Sequence, residues 1–147
     1  RELADTGYIK PQKGSRDKKG GSAGPMRFLS SAGVEILVGK SNLQNDMLTM
    51  KIARKSDIWL HAQKIHGSHV IVRCGGGEVD SRTLEEAASL AAYFSQGRGG
   101  AKVPVDYTQV KFVRKPKGAL PGMVIYTDYK TILAQPDEEL SRRLRVK

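Results

Sequence analysis

The chain has 147 residues, 39% hydrophobic and 27% charged, which is enough for one domain with its own core and close to globular averages. No apolar run approaches the roughly 18 residues that would span a bilayer, and no charged n-region followed by an apolar h-region opens the chain. Twenty-five Lys and Arg against 15 Asp and Glu leave +10 at neutral pH, which favours a polyanionic partner, either nucleic acid or an anionic membrane surface. The one cysteine, Cys74, supplies neither an internal disulfide nor a thiolate metal site, so the chain reads as intracellular and cytoplasmic.

Residues 1–7 read as the last turns of a helix closed by Gly7, and the opening Arg1 suggests a piece of something longer. Residues 10–24 carry Lys10, Lys13, Arg16, Lys18 and Lys19 among glycines and prolines, too few apolar groups to offset ordering, so 1–25 is expected to be a helix end plus a flexible basic linker. The folded part is expected over 26–136, with 15 basic and 9 acidic residues of its own, and 137–147 as a basic tail, a frayed helical stretch.

Within the folded part, 27–30 and 34–38 flank Ser31-Ala32-Gly33 as a hairpin. Ser41 or Asn42 caps a helix over 43–54, with Leu43, Met47, Met50 and Arg54 along one stripe. Two strands follow over 57–62 and 69–73. Thr83-Leu84-Glu85-Glu86 reads as a capping box opening an alanine-rich helix to about Gln96. A strand is expected over 103–113, then a second hairpin of 123–126 with 131–134, turned at Asp128-Tyr129-Lys130. The expected class is α+β: a mixed, largely antiparallel sheet built from hairpins with two main helices.

Alternation along Asp57-Ile58-Trp59-Leu60-His61-Ala62 puts Ile58 and Leu60 on the core face and Trp59 and His61 on the other. If the next strand folds back, His69 and Arg73 share that face. Two readings stay open for it: an indole stacking on an unpaired base, or Trp59 buried beneath a helix with His61 satisfied locally. His61, His66 and His69 have spacings possible for zinc, but no carboxylate follows at a ligand spacing, so no metal is expected. The Gly39-Lys40 turn into the next helix is a place for a phosphate, and its Asn42, Asn45 and Asp46 can simply cap orphan amides, a reading compatible with the first. Arg114-Lys115-Pro116-Lys117 forms a stiff basic loop suited to backbone contact with RNA. No catalytic constellation is present: Ser68 and His69 are sequence neighbours with no nucleophile elbow around them.

Six segments, in order, resemble the C-terminal NFACT-R domain of the RqcH family, which includes proteins named fibronectin-binding protein A and the eukaryotic NEMF proteins. They are Gly39-Lys40-Ser41-Asn42 with Gln44-Asn45-Asp46, Asp57 through Ala62, Gly67-Ser68-His69-Val70, Thr83 through Ala88, Lys102 through Thr108, and Pro116 through Gly122. Two positions depart: His66 stands where proline is common, and Gly75-Gly76-Gly77 varies a loop. The resemblance implies a binding module, not an enzyme, and no cofactor. It implies a quality-control factor that engages an obstructed large ribosomal subunit, its rRNA and tRNA, and supports C-terminal alanine tailing of stalled chains together with the same protein's other domains. Candidate RNA contacts are Lys40, Asn42, Gln44, Asn45, Trp59, His61, His69, Arg73, Lys102, Lys111, Arg114, Lys115 and Lys117. The alternative is a fibronectin- or fibrinogen-binding adhesin fragment at the cell surface, as the family's older name suggests.

Overall fold

A computed structural model describes residues 24–146. The expected helix end and nearly all of the basic linker, residues 1–23, lie outside the described residues.

The short segments rich in β-branched residues form strands, and each pairs antiparallel. β1 (Met26–Leu29) and β2 (Glu35–Val38) make the first hairpin, with Gly33 at φ +82° supplying the turn conformation that other residues disfavour. β3 (Ile58–Ala62), β4 (Val70–Val72), β5 (Val103–Gln109) and β8 (Lys130–Ala134) complete a six-stranded sheet in the order β1-β2-β4-β3-β5-β8. A separate ribbon pairs β6 (Val113–Arg114) with β7 (Ile125–Tyr126). The fold is therefore α+β, with an antiparallel sheet and three helices.

The two faces of the sheet bury different residue sets, as period-2 alternation requires. On one face Leu60, Ala62, Val70, Val72 and Val105 pack against the alanine-rich side of α2 (Ser81–Tyr93). On the other, Trp59, Ile71 and Leu37 pack with Leu48, Val110 and Val113 in a second core. Its cover is the segment α1 (Asn42–Met47) with the π-helical turn Leu48–Ile52, together with the β6–β7 ribbon. The sheet is thus sandwiched, and the strand face carrying Trp59 is an interior face.

Four sequence expectations are corrected. The expected second hairpin does not form: 130–134 pairs with β5, through Asp106↔Thr131 and its neighbours, while Ile125–Tyr126 pairs with β6. The N-cap of α2 is Asp80, whose carboxylate accepts from the Thr83 amide at 3.0 Å, not Thr83. Thr83 is fully buried with its hydroxyl on Ser30 Oγ, and Glu86 accepts from the Ser31 amide and hydroxyl at 2.8 and 2.5 Å, so neither side chain is available for a capping box. On the first helix Leu43 and Met47 face solvent, at 71% and 51% exposure; the buried residues are Asn45, Leu48 and Thr49. The terminal α3 (Glu138–Leu144), capped by Asp137, is docked and not frayed: Leu144 and Ser141 are buried, and Val146 N–H bonds the Arg27 carbonyl.

The Glu86 clasp gives a simple test. Glu86→Ala leaves two Ser31 donors without their acceptor, and the expected cost is about 1–2 kcal/mol, read as a lowered denaturation midpoint.

Candidate nucleic-acid interface

β3 and β4 run side by side, so the ladder that pairs Trp59 with Ile71 brings His61 next to His69 where the strands diverge. Four rings cluster there. Trp59 lies parallel to His61 (centroids 5.8 Å, 2°), meets His69 edge-on (5.5 Å, 88°) and packs on Tyr126 at 4.6 Å.

Polar contacts fix each ring. His69 is buried, with Nδ1 2.8 Å from Thr49 Oγ1 and Nε2 3.1 Å from the Gly122 carbonyl. A carbonyl only accepts, so Nε2 carries the proton and Nδ1 accepts from the Thr49 hydroxyl. Burial, then the neighbouring His61, lowers the His69 pKa to about 4, so this ring is neutral at physiological pH. His61 Nε2 lies 3.2 Å from the Gly67 carbonyl, and burial likewise lowers its pKa. The Tyr126 hydroxyl donates to the buried Asp106 at 2.6 Å; burial first, then that carboxylate, raises its pKa. Asp106 also accepts from Gln63 and Thr131, tying β5 to its surroundings on three sides. Trp59 Nε1–H is buried and has no acceptor among the described residues.

A cavity of about 340 Å³ opens over this cluster, lined by Trp59, His61, His66, His69 and Tyr126 among others. The loop carrying Pro121, Gly122 and Met123 closes one side. Asp46 holds that loop by accepting from the Gly122 amide at 2.9 Å, and Lys115 donates to Asp46 and to the Leu120 and Met123 carbonyls. Gly122 sits at φ +84°, and a Cβ added there would meet the Asn42 side chain at 2.9 Å.

A second feature is purely electrostatic. The Lys111 amide bonds the Lys55 carbonyl at 3.0 Å, which joins the exit of the π-helical turn to the start of β6. Lys51, Arg54 and Lys55 thereby lie near Lys111 in a run of cations that continues along the chain to Arg114 and Lys117, all of them exposed. Asp57, the acid nearest in sequence, is buried and accepts from the Arg54 and Gly75 amides and from Arg73.

A family model described as the NFACT protein RNA binding domain matches residues 25–127. The chain belongs to that family. It is 42% identical over 146 residues to the Rqc2 homolog RqcH of Bacillus subtilis, covering 98% of this chain and 25% of the relative. The Streptococcus suis protein of the same name is 41% identical, with 99% and 26% covered. The ribosome quality control complex subunit NEMF homolog of Drosophila melanogaster is 33% identical over 69 residues, 46% of this chain and 7% of the relative. The chain thus spans about a quarter of the bacterial relatives. A solved C-terminal fragment of the fibronectin/fibrinogen-binding protein of Streptococcus suis superposes with TM-score 0.83 at 40% identity, covering 99% of this chain and 57% of that one.

Within this NFACT RNA-binding domain, the candidate residues divide by surroundings. Lys40, Asn42, Lys102, Lys111, Arg114 and Lys117 are exposed. Lys115, by contrast, is engaged internally by Asp46 at 3.2 Å. Asn45 is buried, its Oδ1 accepting from the His69 amide; Gln44 Oε1 accepts from the Lys40 amide, and its Nε2 donates to the Gly24 carbonyl. These contacts favour the capping reading of the 39–46 turn, because the Lys40, Gln44 and Asn45 amides are all taken up inside the chain. Arg73 pairs with Asp57 at 3.2 Å, two residues beyond Trp59 on the side away from His61. Trp59, 1% exposed, offers no free face for stacking. Among the described residues no group of three His, Cys, Asp or Glu is placed to hold a metal, and no helix is long and apolar enough to cross a membrane.

Sequence reasoning missed Lys51, Arg54, Lys55 and Lys64. The first three were legible as a cationic cluster at the helix exit; their junction with Lys111 depends on tertiary pairing and has no local signal.

Proposed function

We propose that this domain works in the cytoplasm as the RNA-contacting part of a ribosome-associated quality-control factor. In this reading it binds the obstructed large subunit and tRNA and supports alanine tailing of the stalled chain. The observation that carries the reading is the NFACT RNA-binding family match over the folded part; the names of the bacterial and insect relatives supply the setting. The run of cations from Lys51 to Lys117 is the surface best suited to the phosphate backbone, because cations without carboxylate neighbours gain most from counterion release. The peptide bond of tailing would belong to the ribosome, with this domain positioning RNA. Fibronectin binding rests only on the name of the Streptococcus suis fragment.

The test is titration of labelled tRNA and large-subunit rRNA fragments. Affinity is expected to fall about tenfold or more between roughly 50 and 200 mM salt, as several phosphate contacts require. Combining Lys55→Glu, Lys111→Glu and Arg114→Glu is expected to weaken binding by at least about tenfold and flatten that slope. Binding that ignores salt and all three reversals would rule out this surface. Salt-insensitive binding to immobilised fibronectin with none to RNA would favour the adhesin.

A further inference from the structure

We propose that the cavity over Trp59 and His61 receives a single unpaired nucleobase, with the strand that carries it running through the adjoining groove. The inference rests on the RNA-binding reading and adds a defined subsite to it. Three observations lead there.

The first is the lining. At about 340 Å³ the cavity lies near the small end of ligand pockets, and its walls combine apolar and aromatic side chains with the polar ones of Asn42, Lys64, His66 and Gln96. Ile65, Pro121 and Val124 offer flat apolar surface beside the rings of His61 and Tyr126, while the exposed amides of Asn42 and Gln96 each present a donor and an acceptor to a base edge. Among the described residues no Asp or Glu lines it. Trp59, on the lining, has a buried Nε1–H without an acceptor among the described residues, a state that costs free energy and that an acceptor would relieve. The ring nitrogens of His69 and the hydroxyl of Tyr126 are already committed, so they hold the shape of the site and leave recognition to the other groups.

The second is the neighbour. A groove of about 410 Å³ shares Asn42, His66, Gly67 and Gln96 with the cavity, so the two adjoin through a common wall. Its lining adds the hydroxyls of Ser41 and Ser68 and, among the described residues, no Asp or Glu; Arg98, also on the lining, donates its Nε–H to the Tyr93 carbonyl at 2.8 Å. A cavity with aromatic and apolar walls beside a hydroxyl-lined groove matches a base joined to its sugar-phosphate strand. A free phosphate would leave the first half unused.

The third is strain. Lys64, on the cavity lining, sits at φ +61°, a region that favours glycine and is costly for a residue with a Cβ. The link between β3 and β4 holds this strained backbone and places an exposed lysine on the cavity lining.

Trp59 is the chain's only tryptophan, so its emission reports on the cavity alone. The experiment compares a single-stranded RNA of about ten nucleotides with an abasic strand of the same ribose-phosphate backbone. The base-bearing RNA is expected to bind about tenfold tighter, the low end for one aromatic-held base, and to shift Trp59 emission, whereas the abasic strand binds without a shift. Trp59→Phe, which removes the N–H and keeps an aromatic ring, should erase the difference in affinity. So should the pair His66→Ala and Gln96→Ala, which touches only exposed wall and leaves the core intact. Equal affinities with unchanged emission would overturn the subsite while RNA binding stands. If neither strand binds, the RNA reading fails and the subsite falls with it.

Discussion

Trp59→Ala is expected to destabilise the domain by about 3–5 kcal/mol, the usual range for deleting a fully buried indole. Trp59 is 1% exposed and lies between Leu37 and Ile71 of the sheet and Leu48, Val110 and Val113 of its cover, so truncation opens a void bounded by all of them. A domain of this size has a total stability of about 5–15 kcal/mol, and the loss would therefore be a large fraction of it. Trp59→Phe should cost much less, because the ring still fills most of the space and the unpartnered Nε1–H disappears with the indole. Urea denaturation of the three proteins decides the matter. An alanine variant with an unchanged midpoint would contradict the placement of Trp59 in a core and revive the stacking reading that alternation alone left open.

That ambiguity shows where sequence stops. Alternation assigned Ile58 and Leu60 to one face and Trp59 and His61 to the other, and the structure keeps both sets. What alternation lacked was the third layer. The α1 segment and the β6–β7 ribbon cover the second face, and neither carries a strong local signal: α1 is six residues long before it turns π-helical, and β6 and β7 have two residues each. The first hairpin was legible because Gly33 marks its turn. The expected second one failed because strand choice was decided at a distance: Thr131 and Tyr126 both bond Asp106, which draws 130–134 onto β5 and leaves 125–126 for β6. The α2 cap expected at Thr83 formed instead at Asp80, which is also a good capping type. It was settled by Ser30 and Ser31, more than 50 residues away, which engage Thr83 and Glu86.

The same holds for the site. Individual residues were identified, whereas their roles depended on partners. His69, Asn45 and Lys115 were candidate RNA contacts by type and motif, yet together with Asp46 and Gly122 they form the internal brace of the 115–123 loop. The brace sets one wall of the cavity, so these residues act on any ligand there through position. Lys51, Arg54 and Lys55 became a surface only when Lys111 was placed beside them.

The brace also sets an acid limit on stability. His69 is held neutral, with a pKa near 4 against an unfolded value of about 6.5, because burial opposes its charge first and His61 next. The Gly122 carbonyl and Asp46 favour the charged form, and Lys115 opposes it; the net result is a depressed value. A group that binds its proton more weakly when folded makes the unfolded state the better proton acceptor, so stability rises with pH across the interval between the two values. The stability held above about pH 6.5 is therefore lost as pH falls toward 4, by about 3 kcal/mol for His69 alone. His61, shifted the same way, steepens the loss. Urea midpoints measured at intervals from pH 7.5 to 5 should fall steadily. His69→Gln keeps an N–H for the Gly122 carbonyl without a titrating ring; it should be less stable at pH 7.5 yet lose less on acidification. A wild-type midpoint that stays flat from pH 7.5 to 5 would show that His69 is free to take up its proton in the folded state, and the buried, neutral brace would have to be abandoned.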